Sequence, residues 1–186
     1  MPLNGVAERT PEAFVLITDF DDVANPWEGP PMQRSISEFS SLLGVWVGNG
    51  SGVFPTIKSF EFRDEIRFSR RGSEELIHYE QITFLKDDTP SHWESGFLKF
   101  NSNGFLEISN AQDSGRVEIL EENSFRKTDR GFRIELKSKA LQNDPRLRET
   151  IRIFELVDNT LSYSIAMATQ VVTESTPHIR AELRRS

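Results

Sequence analysis

From Val45 onward, apolar and polar residues alternate along the chain with a period of two, most clearly in Ser59–Phe68. The alternating segments, roughly 6 to 12 residues long, are separated by Gly, Asn, Asp and Pro, a pattern typical of antiparallel strands joined by tight turns. It predicts strands at Val45–Gly50, Ser59–Phe68, Leu76–Leu85, Trp93–Phe100, Gly104–Asn110, Arg116–Leu120, Ser124–Lys127, Phe132–Lys139, Glu149–Leu156, Leu161–Thr169 and Ile179–Arg184.

So many sequential strands do not form a stable flat sheet, because exposed strand edges pair with other chains. The expected fold class is therefore all-β, a closed antiparallel up-and-down β-barrel of about ten strands. A barrel of about that strand number is wide enough to hold one small ligand. The expected fold therefore gives a weak indication that the protein binds a small ligand.

The N-terminal region has a different pattern. Five of the nine prolines fall within residues 1–34, and Asn25–Pro31 has neither a helical nor a strand period. We expect an N-terminal arm at 1–34 and the barrel at 35–186. Ser35 stands three residues before Glu38 and ahead of apolar residues, which predicts a capping box opening a short helix that ends at Gly44.

Composition narrows the function classes. The chain has 186 residues, no cysteine and a net charge of −7, as expected for one globular domain for which a nucleic-acid or anionic-membrane partner is disfavoured. The longest early apolar run, Ala13–Ile17, is too short for a signal sequence or a membrane span. We expect a cytosolic protein, and lack of cysteine suits that reducing compartment.

The lack of cysteine also excludes thiolate chemistry, so any transition metal must bind through His78, His92 or His178. Their spacing forms no linear metal motif. His78 is expected on the surface and His92 in a turn. Strict alternation places His178 on the outer face of the last strand, although a bulge beside Pro177 would reverse this.

The segment Gly44–Gly50 begins the first strand and contains Trp46. We expect Trp46 to close the barrel floor under an arginine of the last strand, in a cation–π contact with Arg180, Arg184 or Arg185. Two explanations stay open for Gly48, Gly50 and Gly52: bulges that bend the strand, or room for a flat ligand. The basic residues of the second half, including Arg146, Arg148 and Arg152, are interpreted as solvated strand faces.

Several short segments form a specific set when taken in chain order. They are Leu43–Gly50, Phe54–Ile57, His92–Phe97, Asn110–Gly115 with Val117 and Glu118, Met167–Thr169, and Pro177–His178. This set resembles the nitrobindin family and spans about residues 36 to 185. The resemblance implies a barrel similar in shape to lipocalins and fatty-acid-binding proteins, with heme b at one mouth.

The resemblance also implies site residues. His178 matches the axial iron ligand, with Gly44, Trp46, Gly48 and Gly50 as the accompanying motif. Residues that match heme-contacting or pocket positions are Thr56, His92, Gln112 and Met167. Arg146 or Lys139 is expected to meet a heme propionate.

By the same resemblance, the small-molecule partners are nitric oxide, bound by ferric heme, and peroxynitrite, isomerised to nitrate. The iron is then the reactive centre, and His92 is a candidate for assisting protonation. One competing hypothesis is a carrier of fatty acid or another apolar molecule without heme. Another is an interaction module that works through the N-terminal arm.

Overall fold

The computed structural model describes residues 34–186, which form a closed antiparallel barrel of ten strands. A short 3-10 helix, Ile36–Leu42, precedes them. The strands are β1 Gly44–Phe54, β2 Ile57–Ser69, β3 Leu76–Phe84, β4 Pro90–Phe100, β5 Leu106–Gln112, β6 Val117–Thr128, β7 Gly131–Gln142, β8 Leu147–Val157, β9 Thr160–Thr169 and β10 Thr176–Arg185. Each strand pairs with its sequence neighbours, and β1 pairs with β10 to close the ring. The predicted fold class is confirmed.

One difference concerns β6. The segments Arg116–Leu120 and Ser124–Lys127, predicted as two strands, belong to this single strand. Register shifts at Ile119/Leu120 and Glu122/Ser124 interrupt its pairing with β7. Bulges of this kind break the sequence alternation without ending the strand.

The helix before β1 is present, but its cap differs from the predicted box. Ser35 accepts a hydrogen bond from the Ser37 N–H at 3.2 Å. Glu38 pairs with Arg34 at 3.4 Å, and Glu75 of the β2–β3 connection accepts from the Ile36 N–H at 3.1 Å. A carboxylate distant in sequence therefore caps the N–H of the first helical residue, instead of the Ser35 N–H that Glu38 would accept in a capping box.

The helix and Trp46 close one end of the barrel. Trp46 is fully buried, and its indole N–H donates to the Leu42 carbonyl at 2.7 Å. The Arg185 guanidinium lies 4.5 Å from the centre of the Trp46 ring and donates to the Leu43 carbonyl. The expected cation–π contact is confirmed, with Arg185 as the partner.

The β1 glycines make room for neighbouring strands, and the predicted bulge is wrong for Gly48 and Gly50, whereas room for a flat ligand stays a prediction. A Cβ on Gly48 would lie 2.0 Å from the Glu182 carbonyl, and one on Gly50 would lie 2.2 Å from the Phe62 ring. The bulge in the β1–β2 pairing falls only between Gly52 and Phe54. The strand thus contains glycine where its neighbours approach closely.

Gly44 serves a different purpose from the other motif glycines. It stands at the junction of the helix and β1, with a φ of 127° that L side chains rarely adopt. A glycine at this position lets the chain turn from the helix into the sheet.

The barrel interior is divided into layers. The end beneath the helix is apolar and is packed around Phe39 and Trp46. Above it lies a layer of buried polar side chains that includes Asp64, Gln81, Glu94, Glu118 and Arg152. The opposite end of the barrel holds a cavity. The polar layer therefore forms the floor of that cavity.

The predicted arm, residues 1–34, lies outside the described residues except for Arg34. Arg34 pairs with Glu122 at 2.8 Å and stacks over the Phe100 and Phe125 rings at 4.7 Å and 4.5 Å. The domain boundary stays a prediction. Within residues 34–186, no helix has the length and apolar character needed to cross a membrane.

Candidate functional site

A cavity of about 250 Å³ lies at the end of the barrel opposite the helix. Its walls come from β2, β3, β4, β8, β9, β10 and the start of β6. A wider cleft of about 1110 Å³ shares part of this lining, namely Phe60, Ile165, His178 and Ile179. The inner cavity and the cleft together form the candidate site.

His178 lines both spaces. The pairing of β10 with β9 shifts register between Pro177 and Ile179, so His178 is the extra residue of a bulge. The outward placement expected from strict alternation is therefore wrong, and the alternative of a bulge beside Pro177 is confirmed.

Three contacts fix the His178 ring. Its Nδ1 lies 3.1 Å from the Val53 carbonyl, so Nδ1 carries the proton and Nε2 keeps its lone pair. The rings of Phe54 and Phe60 meet it edge-on at 5.5 Å and 6.4 Å. Burial lowers the pKa of His178, against the opposing effect of the Val53 hydrogen bond. The result is a neutral, oriented imidazole, the form that ligates a metal.

His92 and Arg116 also line the cavity. His92 Nε2 lies 3.3 Å from Glu94 Oε2, and its Nδ1 lies 3.6 Å from Asp113 Oδ1. Arg116 Nε lies 3.2 Å from Glu118 Oε1. Each of these two wall residues is therefore held by a buried carboxylate of the floor.

Arg152 links those two carboxylates. Its guanidinium binds Glu94 through both carboxylate oxygens and lies 2.9 Å from Glu118 Oε2. Burial acts to raise the pKa of Glu94, but the Arg152 charge and His92 outweigh it and hold that pKa well below its usual range. Burial likewise opposes the charge on Arg152, and both carboxylates keep it protonated. The cavity floor thus contains a buried ionised pair, Glu94 and Arg152.

A second polar cluster surrounds Asp64. Its carboxylate accepts hydrogen bonds from Thr83 Oγ1 at 2.7 Å, and from Gln81 Nε2 and the Tyr163 hydroxyl at 2.9 Å each. Burial raises the pKa of Asp64, and the three hydrogen bonds act in the opposite direction. The cluster fixes the floor between β2, β3 and β9.

The structure brings together only part of the predicted site. Met167 and His92 line the inner cavity with His178. Gln112 is buried on β5, with an Nε2 that has no partner among the described residues, but it lies outside the cavity lining. Thr56 is exposed in the turn between β1 and β2 and lines neither space.

The two basic residues expected at the propionates lie elsewhere. Arg146 pairs with Asp144 at 3.0 Å and is 84% exposed. Lys139 pairs with Glu121 at 2.6 Å on the barrel exterior. Neither residue lines the inner cavity or the cleft. Exposed basic side chains at strand ends form ion pairs with nearby carboxylates, and the sequence does not show which carboxylate is the partner.

Sequence reasoning missed the ionised floor, and Arg152 was wrongly interpreted as part of a solvated face. It is 3% exposed. A usable signal was present, since Arg152 stands in phase with Phe154 and Leu156, which face the core. In the same way, Glu118 is in phase with the buried Leu120. A charged residue in phase with core positions is a buried charge that needs partners.

The residues present fit a heme group. His178 lines the inner cavity together with the apolar side chains of Phe60, Phe62, Ile165, Met167 and Ile179, and its hydrogen bond within residues 34–186 is made by Nδ1, not by Nε2. Residues 34–186 contain no group of three His, Asp or Glu side chains arranged to hold a bare metal ion. One imidazole between apolar walls is the donor set expected for an iron porphyrin.

Comparisons with known proteins agree with this geometry. Residues 35–185 match the family model described as "THAP4-like, heme-binding beta-barrel domain". The chain is similar to a protein of Arabidopsis thaliana named peroxynitrite isomerase Rv2717c, with 35% identity over 90% of this chain and 98% of that protein. It is also similar to peroxynitrite isomerase 2 of Mycobacterium ulcerans, with 32% identity over 83% of this chain and 96% of the relative.

A solved structure shows the same fold. The crystal structure of Rv2717c from M. tuberculosis has a TM-score of 0.75 and 30% identity to this chain, covering 81% of this chain and 96% of the other. The match extends over nearly the whole length of the solved protein, so the barrel described above is shared as a unit.

Proposed function

Because this chain belongs to the family of the THAP4-like heme-binding β-barrel domain, we propose that it binds heme b beside His178 and isomerises peroxynitrite to nitrate. The resemblance to nitrobindins seen in the sequence is confirmed by the same comparisons. Nitric oxide is the second small molecule that we propose as a ligand.

The arrangement of His178 carries this proposal. The Val53 carbonyl fixes the proton on Nδ1 and the Phe54 and Phe60 rings restrict the imidazole, so Nε2 is presented to the cavity as a preoriented ligand. Heme, if bound here, would supply a ferric iron as the reactive centre. The chain would supply the histidine ligand and the apolar side chains beside it.

Two basic residues at the cleft suit the heme propionates. Lys86 and Arg180 both line it, and they replace Arg146 and Lys139 as our candidates. Each has one local contact, Lys86 with Glu61 at 2.8 Å and Arg180 with Ser51 at 3.2 Å. Long cationic side chains at a pocket mouth meet carboxylates without the cost of full burial. Heme contacts by Thr56 and Gln112 stay predictions.

The fatty-acid carrier is the weaker hypothesis. A carrier needs an apolar interior for the lipid tail and a free cation for its carboxylate. Here the cavity floor contains Glu94 and Glu118, and Arg152 is already paired with both. A lipid carboxylate at that depth would meet the like charge of Glu94. The hypothesis of an interaction module concerns the arm and falls outside the described residues. A cytosolic location stays a prediction from composition.

Hemin titration tests the proposal. We expect the purified protein to take up one equivalent of hemin with a sharp Soret band. His178→Ala should lose that band, whereas His78→Ala should keep it. His78 is the matched control, because its Nε2 contacts Ser95 at 2.8 Å and it lines neither the cavity nor the cleft. Loss of hemin binding in both variants, or in neither, would contradict the role of His178.

Peroxynitrite decay completes the test. The hemin-loaded protein should accelerate conversion to nitrate in stopped-flow measurements, and the apoprotein should leave the rate unchanged. An equal rate with free hemin would show that the chain adds nothing to the chemistry.

A further inference from the structure

We propose that Arg116 recognises a small oxyanion bound in the inner cavity, an inference that rests on the proposed function. The proposed substrate and product are both oxyanions, and a cavity that receives them gains from a fixed positive charge. Three properties of Arg116 support the assignment: its position, its available donors and the contacts that hold its side chain.

Arg116 faces His178 across the barrel. In the ten-strand ring, β5 lies five strands from β10 in both directions, so the two are diametrically opposed. Arg116 completes the β5–β6 hairpin turn, where its carbonyl accepts the Gln112 N–H at 2.9 Å. Both Arg116 and His178 line the same cavity. A ligand between them would meet the imidazole side on one face and the guanidinium on the other.

The Arg116 guanidinium keeps donors for such a ligand. Its Nε lies 3.2 Å from Glu118 Oε1 in an ion pair, but neither atom has a hydrogen-bond partner within residues 34–186. The distance from Nη1 to Asp144 Oδ2 is 3.9 Å, which is too long for a hydrogen bond. The planar fork of arginine presents two parallel N–H groups, a geometry that matches the oxygens of an oxyanion.

The floor network holds this fork in place. Glu118 is fully buried and binds Arg152 at 2.9 Å, and Arg152 also binds Glu94. The orientation of Arg116 is therefore fixed by side chains of β4, β6 and β8 before any ligand enters. Donors that are oriented in advance stabilise negative charge without a reorganisation cost. Glu118 thus acts as a positioning residue for Arg116.

The alternative is that Arg116 contacts a heme propionate instead of a small oxyanion. This requires the porphyrin to lie deeper in the inner cavity. Lys86 and Arg180 line the outer cleft and not the inner cavity, whereas Arg116 lines the inner cavity and not the cleft. This separation favours the propionates outside and the oxyanion inside. Measuring hemin affinity and anion affinity separately distinguishes the two.

The test uses hemin-loaded wild type, Arg116→Gln, Arg116→Lys and the control Arg146→Gln. The control substitution Arg146→Gln removes the same charge from the same end of the barrel. The Arg146 side chain is 84% exposed and lies outside the cavity. For each protein we would measure hemin affinity, then the ferric affinities for nitrite and azide, and finally for uncharged nitric oxide. All four quantities come from absorbance titrations.

We expect Arg116→Gln to weaken nitrite and azide by about tenfold to a hundredfold, the range for one charge-assisted hydrogen bond. Hemin and nitric oxide affinities should stay within about twofold, and Arg116→Lys should recover part of the loss. If Arg146→Gln weakened nitrite and azide binding equally, the overall electrostatic field of the barrel would explain the effect, and the proposal would be overturned. Loss of hemin affinity in Arg116→Gln would overturn it in favour of a propionate contact. Wild type that takes up no hemin would overturn the proposed function as well.

Discussion

At the scale of single residues, the site depends on histidine and arginine side chains whose charge is set by their surroundings. His178 is neutral because burial lowers its pKa, although the hydrogen bond from Nδ1 to the Val53 carbonyl acts in the opposite direction. Arg152 is charged because two buried carboxylates surround it. The same residue types elsewhere on the barrel, such as His78 and Arg146, line neither the inner cavity nor the cleft. Environment therefore separates the functional copies from the others.

The lowered pKa of His178 predicts how heme retention depends on pH. A proton competes with iron for Nε2, so ligation is complete while the imidazole is neutral and is lost as the pH falls through the folded-state pKa. Because burial lowers that pKa, we expect half-release of heme at a pH below ~6.5, the ordinary value for histidine. The Soret band followed through an acid titration measures this. Half-release at or above ~6.5 would contradict it, and His78→Ala should leave the midpoint unchanged.

The same shift has a consequence for the apoprotein. The unfolded chain binds a proton at His178 at a higher pH than the folded chain does, so stability rises with pH through that interval. The contribution of His178 is thus present above ~6.5 and is lost as the pH falls below it.

At the scale of elements, β1 and β2 fit together through glycines and phenylalanines. Gly50 stands opposite Phe62 and Gly52 opposite Phe60 in the antiparallel register. The Phe rings cover the glycines, so that side-chain volume missing from β1 is supplied by β2. This pairing also shapes one wall of the cavity, which Phe60 and Phe62 line.

We predict that Gly52→Ala destabilises the apoprotein by about 1 to 3 kcal/mol, the usual cost of overpacking. An added Cβ would lie 2.2 Å from the Phe60 ring, and the Phe60 side chain is its closest neighbour. In a Phe60→Ala background, the cost of Gly52→Ala should therefore fall by more than about half. Urea unfolding of the four proteins in this cycle measures it.

The neighbouring substitution Val53→Ala serves as a control for changes in β1 that create no clash. The Val53 side chain is 55% exposed, so its truncation should change stability by no more than about 0.5 kcal/mol. If Gly52→Ala costs the same with and without the Phe60 ring, the fit between the two strands is not its cause.

At the scale of the whole molecule, the barrel separates structural and functional ends. The closed end contains the helix, Trp46 and Arg185, and the cavity with His178 lies at the other end. The ionised floor stands between them. Residues of the closed end therefore contribute to stability without contacting the proposed heme.

This separation predicts that Arg185→Ala lowers the free energy of unfolding by about 1 to 2 kcal/mol, through loss of its cation–π contact and carbonyl hydrogen bonds. Arg184→Ala should have little effect, because within residues 34–186 that exposed side chain pairs with Glu182 alone, at 3.4 Å. Hemin affinity should be unchanged in both. Urea unfolding measures the stability change, and hemin titration measures the affinity. Weaker hemin binding in Arg185→Ala would show that the two ends of the barrel are coupled.

The alternation in the sequence determined the strands, their number within one, and the closed barrel. The residue types at the ends of the first and last strands predicted that Trp46 would lie beneath an arginine of β10, and the register of the closing pair selected Arg185 among three candidates. The motif set was enough to indicate the family and the histidine that faces the cavity. These features depend on local periodicity and residue type, which a sequence displays directly.

Tertiary structure alone decided which charges became partners. The bulge at Pro177 turns His178 inward, and only the barrel geometry brings Glu94 and Glu118 to Arg152, 58 and 34 residues away in the chain. Likewise, the place of Arg116 opposite His178 follows from the ring order of the strands. A sequence records each charge but not its distance from the others, and electrostatic energy depends on that distance and on burial.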